Sequence, residues 1–141
     1  MQDLPEFTGG CQCGAVRYRV SAGPGKANLC FCDMCRRATG SPVPSFISVP
    51  RDRVTWSGTP AVFASSDIAT RGFCRDCGTP LYYAGNHSTT WGLAAGTADI
   101  TVSPDVVFYF EKHPDWLGTL ATLPKPDFDP ATCSGDADPN A

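Results

Sequence analysis

The chain has 141 residues, enough for one domain with a real core and too few for two comfortable ones. Hydrophobic residues make up 42% and charged residues only 18%, while 14 glycines and 13 prolines interrupt the chain throughout, which argues for a turn-rich globular domain and against long helices. The net charge is −3 and no basic cluster exceeds the pair Arg36-Arg37, so the electrostatic footprint that a nucleic-acid backbone or an anionic membrane would need is missing.

Met1 to Gly10 carries Asp3, Pro5 and Glu6 and has neither the basic nor the apolar region of a secretory signal. The longest apolar run, Val106 to Phe110, falls far short of the ~18 residues that suggest a membrane span. A soluble, cytoplasmic protein is expected. From Ala15 to Val20 the residues alternate with period two, which predicts a strand with Val16, Tyr18 and Val20 on one face. Ser21 to Gly25 reads as a turn by composition. Asp33, a good N-cap, begins about two helical turns that run through Thr39 and stop at Gly40.

Val43 to Val49 reads as a strand that Pro44 pushes toward a sheet edge; Pro50 to Arg53 is a turn, and Val54 to Trp56 is extended again. Gly58-Thr59-Pro60 turns the chain once more. Ala61 to Ala64, Ala69 to Phe73, Leu81 to Tyr83, Thr89 to Leu93 and Val106 to Phe110 follow as short strands separated by Ser, Asp, Gly, Asn and Pro. This rhythm is that of a mostly-β fold. Residues 1–123 form the expected domain, and 124–141, rich in proline and aspartate, read as a mobile tail.

Seven of the eight cysteines fall into close-set groups: Cys11/Cys13, Cys30/Cys32/Cys35 and Cys74/Cys77. Cys133 stands alone and reads as an incidental thiol. Cys74-Arg75-Asp76-Cys77-Gly78 has the spacing of a knuckle round a tetrahedral ion, with Gly78 suited to a positive φ after the second thiolate. Cys11 and Cys13 are its natural complement, since positions i and i+2 of an extended segment point to one side and Gly14 gives the pair its own turn. The resulting four-thiolate site would be closed and structural, joining segments roughly 60 positions apart with folding free energy on the scale of ~10 kcal/mol.

Cys30, Cys32 and Cys35 offer three thiolates and no obvious fourth, the pattern of a catalytic zinc with one open position. Three thiolates on a divalent ion leave one net negative charge, which Arg36 and Arg37 could balance while attracting a carboxylate-bearing substrate. An iron–sulfur cluster, disulfides, and zinc that is wholly structural remain alternatives for these groups. Trp56, Trp91, Trp116 and the other aromatics read as core and edge residues. His113 would serve as an acid–base group if the fold brings it to the triplet, a surface position being the simpler reading, and His87 reads as a loop tip.

The motifs Gly10-Cys11-Gln12-Cys13-Gly14-Ala15-Val16-Arg17-Tyr18, Cys30-x-Cys32-x2-Cys35-Arg36 with Thr39-Gly40-Ser41, and Gly72-Phe73-Cys74-x2-Cys77-Gly78-Thr79-Pro80-Leu81 stand in this order. Together they resemble the glutathione-dependent formaldehyde-activating enzyme family, which takes in centromere protein V-like domains. The resemblance runs from about Gly10 to Leu117. It implies a β-tent of twisted antiparallel sheets, two zinc ions per chain (structural on Cys11, Cys13, Cys74 and Cys77, catalytic on Cys30, Cys32 and Cys35), and a carbon–sulfur lyase of the S-(hydroxymethyl)glutathione synthase type. The implied partner is a small thiol such as glutathione, and the implied co-substrate is formaldehyde or a related small carbonyl. Phe31 and Val107 stand where members of the family often carry histidine.

Overall fold

The computed structural model describes residues 1–125, so Cys133 and all but the first two residues of the expected tail lie outside the described residues. Among the described residues eleven strands and one short α-helix make up the regular structure, with 3₁₀ turns between and after them. A small sheet is built from β2 (Phe7–Gly10), β3 (Arg17–Val20) and β6 (Val54–Ser57), in the order β2-β3-β6. The period-two reading of the first motif holds here: Val16, Tyr18 and Val20 are buried and Arg19 is exposed.

The large sheet is eight-stranded, with the path β1 (Gln2–Leu4), β4 (Gly23–Cys30), β5 (Ser45–Pro50), β10 (Thr90–Ala94), β9 (Pro80–Gly85), β8 (Ala69–Phe73) and β7 (Ala61–Ser66). Its eighth strand, β11 (Val106–Phe108), lies off this path and pairs with β4. All pairings are antiparallel except β11 with β4, where Val106, Val107 and Phe108 run parallel beside Asn28, Leu29 and Cys30. The core lies between the two sheets: Phe7, Tyr18 and Val20 from the small one meet Ile47, Val49, Leu81 and Leu93 from the large one. Trp56 and Trp91 close the rim of this layer, packed edge-on to each other at 6.0 Å, with Arg51 lying 4.4 Å over Trp91. Trp116, by contrast, is exposed.

Two expectations are corrected. Ser21 to Gly25 is not simply a turn, because β4 begins at Gly23 and pairs with β1 through Leu4↔Gly23 and Gln2↔Gly25. Arg53 fastens this corner by donating to the carbonyls of Ser21 and Pro24. The strand after Pro44 is central, lying between β4 and β10. Pro44 sits just ahead of it, where a missing N–H costs nothing, and its carbonyl accepts from the Cys30 amide at 3.0 Å. Met1 to Gly10, for which no element was expected, supplies β1 and β2.

Asp105 sets the position of β11. Its carboxylate accepts from the Ala27 amide at 2.9 Å and from Gln2 Nε2 at 3.0 Å, while its own amide donates to the Ala27 carbonyl at 2.8 Å. These contacts, the Ala27 amide foremost, hold the Asp105 carboxyl below the usual carboxylate range.

Gly72 faces Tyr82 across β8 and β9, and the tyrosine ring lies over it: a Cβ there would come within 1.9 Å of the ring. The glycine is therefore required by packing. Gly72→Ala is expected to cost about 1–3 kcal/mol, the usual penalty of overfilling a packed layer. Denaturant unfolding measures it, and an unchanged midpoint would mean that the ring moves aside freely.

Candidate functional site

The four-thiol group is made by two turns, one from each sheet. In the turn between β2 and β3, the Gly14 amide donates to the Cys11 carbonyl at 3.2 Å and Gly14 adopts φ +80°. In the turn between β8 and β9, the Gly78 amide donates to the Cys74 carbonyl at 2.9 Å and Gly78 adopts φ +77°. Nothing would crowd a Cβ at either glycine, so each is demanded by backbone conformation alone. The expected positive φ at Gly78 is present. The Cys11/Cys13 pair differs from expectation, for a turn and not strand alternation brings its sulfurs together.

Cys11, Cys13, Cys74 and Cys77 place their sulfurs within 4.8 Å of one another. Cys13 Sγ lies 3.6 Å from Cys11 Sγ and 3.7 Å from Cys74 Sγ, too far for a disulfide. A tetrahedral ion with metal–sulfur bonds of ~2.3 Å sets its sulfurs about 3.8 Å apart, so the donor set fits zinc. Cys11 and Cys74 are each 1% exposed and belong to the core layer, whereas Cys13 and Cys77 face outward.

Two of the thiols are displaced in opposite directions. The Thr79 hydroxyl, followed by the Thr79 amide, lowers Cys77 to about 6. For Cys13 the Ala15 amide favours the thiolate, but the sulfurs of Cys77, Cys11 and Cys74 outweigh it and push the thiol up to about 12.

The second group stands at the end of β4. Cys30 is the last residue of that strand, Phe31 is fully buried, and Cys32 caps α1 (Asp33–Thr39). The expected helix is present with its expected stop, Gly40 at φ +66°, but the cap is Cys32 in place of Asp33: its Sγ accepts from the Cys35 amide at 3.3 Å. The cap and the first helical turn, with the Arg36 amide donating to the Cys32 carbonyl at 3.1 Å, bring Cys32 and Cys35 to one side. The sulfurs of Cys30, Cys32 and Cys35 lie within 4.8 Å of one another. Burial, reinforced by the neighbouring sulfurs, pushes the Cys30 thiol up to about 12. Burial also opposes ionisation of Cys32, yet the Cys35 amide and the two adjoining thiols hold it below the ordinary thiol value.

These three thiols line a cleft of ≈ 550 Å³ that runs along the large sheet. Ser48, Ser66, Ser88 and Thr90 give it hydroxyls, and Tyr83, Phe108 and Tyr109 give it aromatic walls. Tyr109 is the one non-glycine residue at positive φ among the described residues, at 55°, a local strain placed at the mouth of the candidate site.

Sequence reasoning missed Arg71. It sits on β8, 7% exposed, and donates through Nη2 to Cys35 Sγ at 3.4 Å. Local alternation did not mark it, because Gly72 in the opposite phase of β8 is buried as well and an arginine ordinarily faces solvent. Arg36 and Arg37 are exposed on α1 and are not among the residues lining the cleft; Arg36 pairs with Asp33 at 2.7 Å. His113 is half-buried one ring away from the triplet. It stacks on Phe110 at 4.2 Å, meets Phe31 edge-on at 6.2 Å, and its Nδ1 lies 2.6 Å from the Phe110 carbonyl. His87 is exposed in the turn after β9.

No helix among the described residues is long and apolar enough to cross a membrane. The chain is 22% identical to a crystallised protein of Rhodobacter sphaeroides, with a TM-score of 0.55 over 72% of this chain and 98% of that one, a likeness of fold. It is 35% identical over 81 residues to an uncharacterized lyase of Schizosaccharomyces pombe, a match covering 57% of this chain and 59% of that protein's length. The sequence profile described as glutathione-dependent formaldehyde-activating enzyme matches residues 6–112, which span both cysteine groups, and the chain therefore belongs to that family.

Proposed function

We propose that residues 1–123 form a zinc-dependent carbon–sulfur lyase that joins a glutathione-like thiol to formaldehyde or a related small carbonyl, and that catalyses the reverse cleavage. The observation that carries this reading is the three-thiol group lining an open cleft of ≈ 550 Å³, set apart from a closed four-thiol group. Cys30, Cys32 and Cys35 would hold the catalytic zinc, and Cys11, Cys13, Cys74 and Cys77 the structural one. Zinc in the triplet would supply a Lewis-acidic centre with one position free, able to lower a thiol pKa or polarise a carbonyl.

The chain's own part is positioning. The hydroxyls of Ser48, Ser66, Ser88 and Thr90 offer hydrogen bonds to a polar substrate, and the aromatic wall shields it from water. Arg36 and Arg37 give the exposed face of α1 a positive field that draws acidic thiols toward the cleft. In the reaction the substrate sulfur bonds to the carbonyl carbon, the C=O π pair moves to oxygen, and that oxygen takes a proton as the thiol loses its own. The atoms balance without an oxidant or reductant.

Cobalt in place of zinc provides the test. Glutathione should change the charge-transfer absorption of the cobalt protein, and formaldehyde consumption with glutathione should exceed the spontaneous rate. A spectrum indifferent to glutathione and other small thiols, with no excess rate, would leave a zinc-stabilised binding module without turnover.

A further inference from the structure

Arg71 is a buried cation without a carboxylate. None of the ion pairs among the described residues includes it. Its Nε donates to Ser65 Oγ at 2.9 Å, its Nη2 to Cys35 Sγ at 3.4 Å, and its guanidinium lies 5.0 Å from the Tyr83 ring centroid. Nη1 donates to no protein atom among the described residues. Since no sealed-off side-chain nitrogen or oxygen is left unpaired, Nη1 opens onto a cavity.

Two cavities share Arg71 as lining. The smaller, ≈ 320 Å³, holds no cysteine and is walled mainly by Ala38, Phe63, Phe73, Pro80 and Ala94. The larger is the thiol-lined cleft, where Arg71 is the one charged side chain among the described residues and the other polar groups are hydroxyls, thiols and an amide. A guanidinium keeps its charge in any surroundings, and burying it is costly unless an anion faces it. One arm of this fork is spent on a thiol of the triplet, while the other, open to one of the two cavities that Arg71 lines, is free to receive an oxyanion.

We propose that Arg71 binds the acidic group of the substrate in the thiol-lined cleft, so that small anionic thiols are selected over neutral ones. The identity of the reacting centre rests on the reading above, whereas the anion contact stands on Arg71 and the cleft. Long-range attraction by Arg36 and Arg37 is compatible with this, since direct contact falls to the buried guanidinium.

The probes are mercaptoacetate and its neutral counterpart 2-mercaptoethanol, titrated into the cobalt-loaded protein. Calorimetry reads binding and the charge-transfer band reads sulfur ligation. Mercaptoacetate should bind at least about tenfold more tightly than 2-mercaptoethanol, the scale of one charge-assisted hydrogen-bonded contact. Arg71→Gln should bring the two within about twofold, and Arg71→Lys, which keeps the charge should the glutamine variant fail to fold, should retain only part of the preference. Binding of mercaptoacetate without a spectral change, lost in the Arg71 variants, would uphold the anion site and overturn thiol ligation at the metal. Equal ligation of both thiols would overturn the anion site and leave the metal reading standing. Binding of neither overturns both. A preference that survives in Arg71→Lys and Arg71→Gln but disappears in Arg36→Ala/Arg37→Ala transfers the anion contact to α1 and overturns the assignment.

Discussion

Replacing Cys74 by serine should leave a chain that no longer unfolds cooperatively, or that is recovered only as insoluble material. The sulfur removed is buried in the layer between the sheets and lies 3.7 Å from Cys13 Sγ of the facing turn. The proposed ion ties the β2–β3 turn of the small sheet to the β8–β9 turn of the large one, and few other polar contacts span this junction; the Gln12 amide reaching Thr79 Oγ1 at 3.2 Å is one. Structural zinc sites carry folding free energy of roughly 10 kcal/mol or more. The whole stability of a domain this size is about 5–15 kcal/mol, so the loss meets or exceeds the reserve. Thermal unfolding followed by the fluorescence of Trp56 and Trp91 at the rim is the direct measurement, and chelator treatment of the unaltered protein should give the same collapse. A Cys74→Ser protein melting within a few degrees of the parent would remove the structural role assigned to this group.

Cys32→Ser should have the opposite profile: a near-native fold, one metal ion fewer, and thiol addition reduced to the spontaneous rate. Serine is among the best N-caps, so its Oγ can take over the bond from the Cys35 amide and α1 should change in stability by no more than about 1 kcal/mol. A hydroxyl is a poor ligand for zinc beside two thiolates, and the open site should lose its ion. Elemental analysis, a melting curve and the formaldehyde assay on one preparation make the comparison. If Cys32→Ser and Cys74→Ser melt alike, the division into a structural and a catalytic site fails.

What could be read from the sequence was what depends on neighbours along the chain. The alternation of Val16, Tyr18 and Val20, the stop at Gly40, and the tight turn at Gly78 are local matters of side-chain phase and backbone conformation. The partition of cysteines into a four-thiol and a three-thiol group was legible for a similar reason, because spacing within each group limits how many ligands it can offer. The strand at Gly23 was hidden because its glycines and proline pair only once Leu4 and Gln2 are brought alongside. Pro44 suggested an edge because a proline cannot donate to a ladder, but here it stands outside the ladder and leaves β5 free to be central. Arg71 was passed over because an arginine looks like surface until its strand is seen to face a cavity.

The two cysteine groups also differ in how far apart along the chain their members lie, and this bears on how the proposed ions would be acquired. Cys30, Cys32 and Cys35 occupy six consecutive positions, so an extended, newly made chain can gather them almost without cost. Cys13 and Cys74 are 61 residues apart. Closing a loop of that length costs about 4 kcal/mol of chain entropy. An ion that meets the unfolded chain would therefore find cheaper rings between Cys11/Cys13 and the triplet, only 17 residues beyond Cys13, than the proposed ring to Cys74/Cys77. Synthesis from the N-terminus deepens the bias, because the triplet emerges well before the second knuckle. On this entropic ground the proposed triplet ion closes a local ring, whereas the proposed four-thiol ion closes the long one that joins the two sheets.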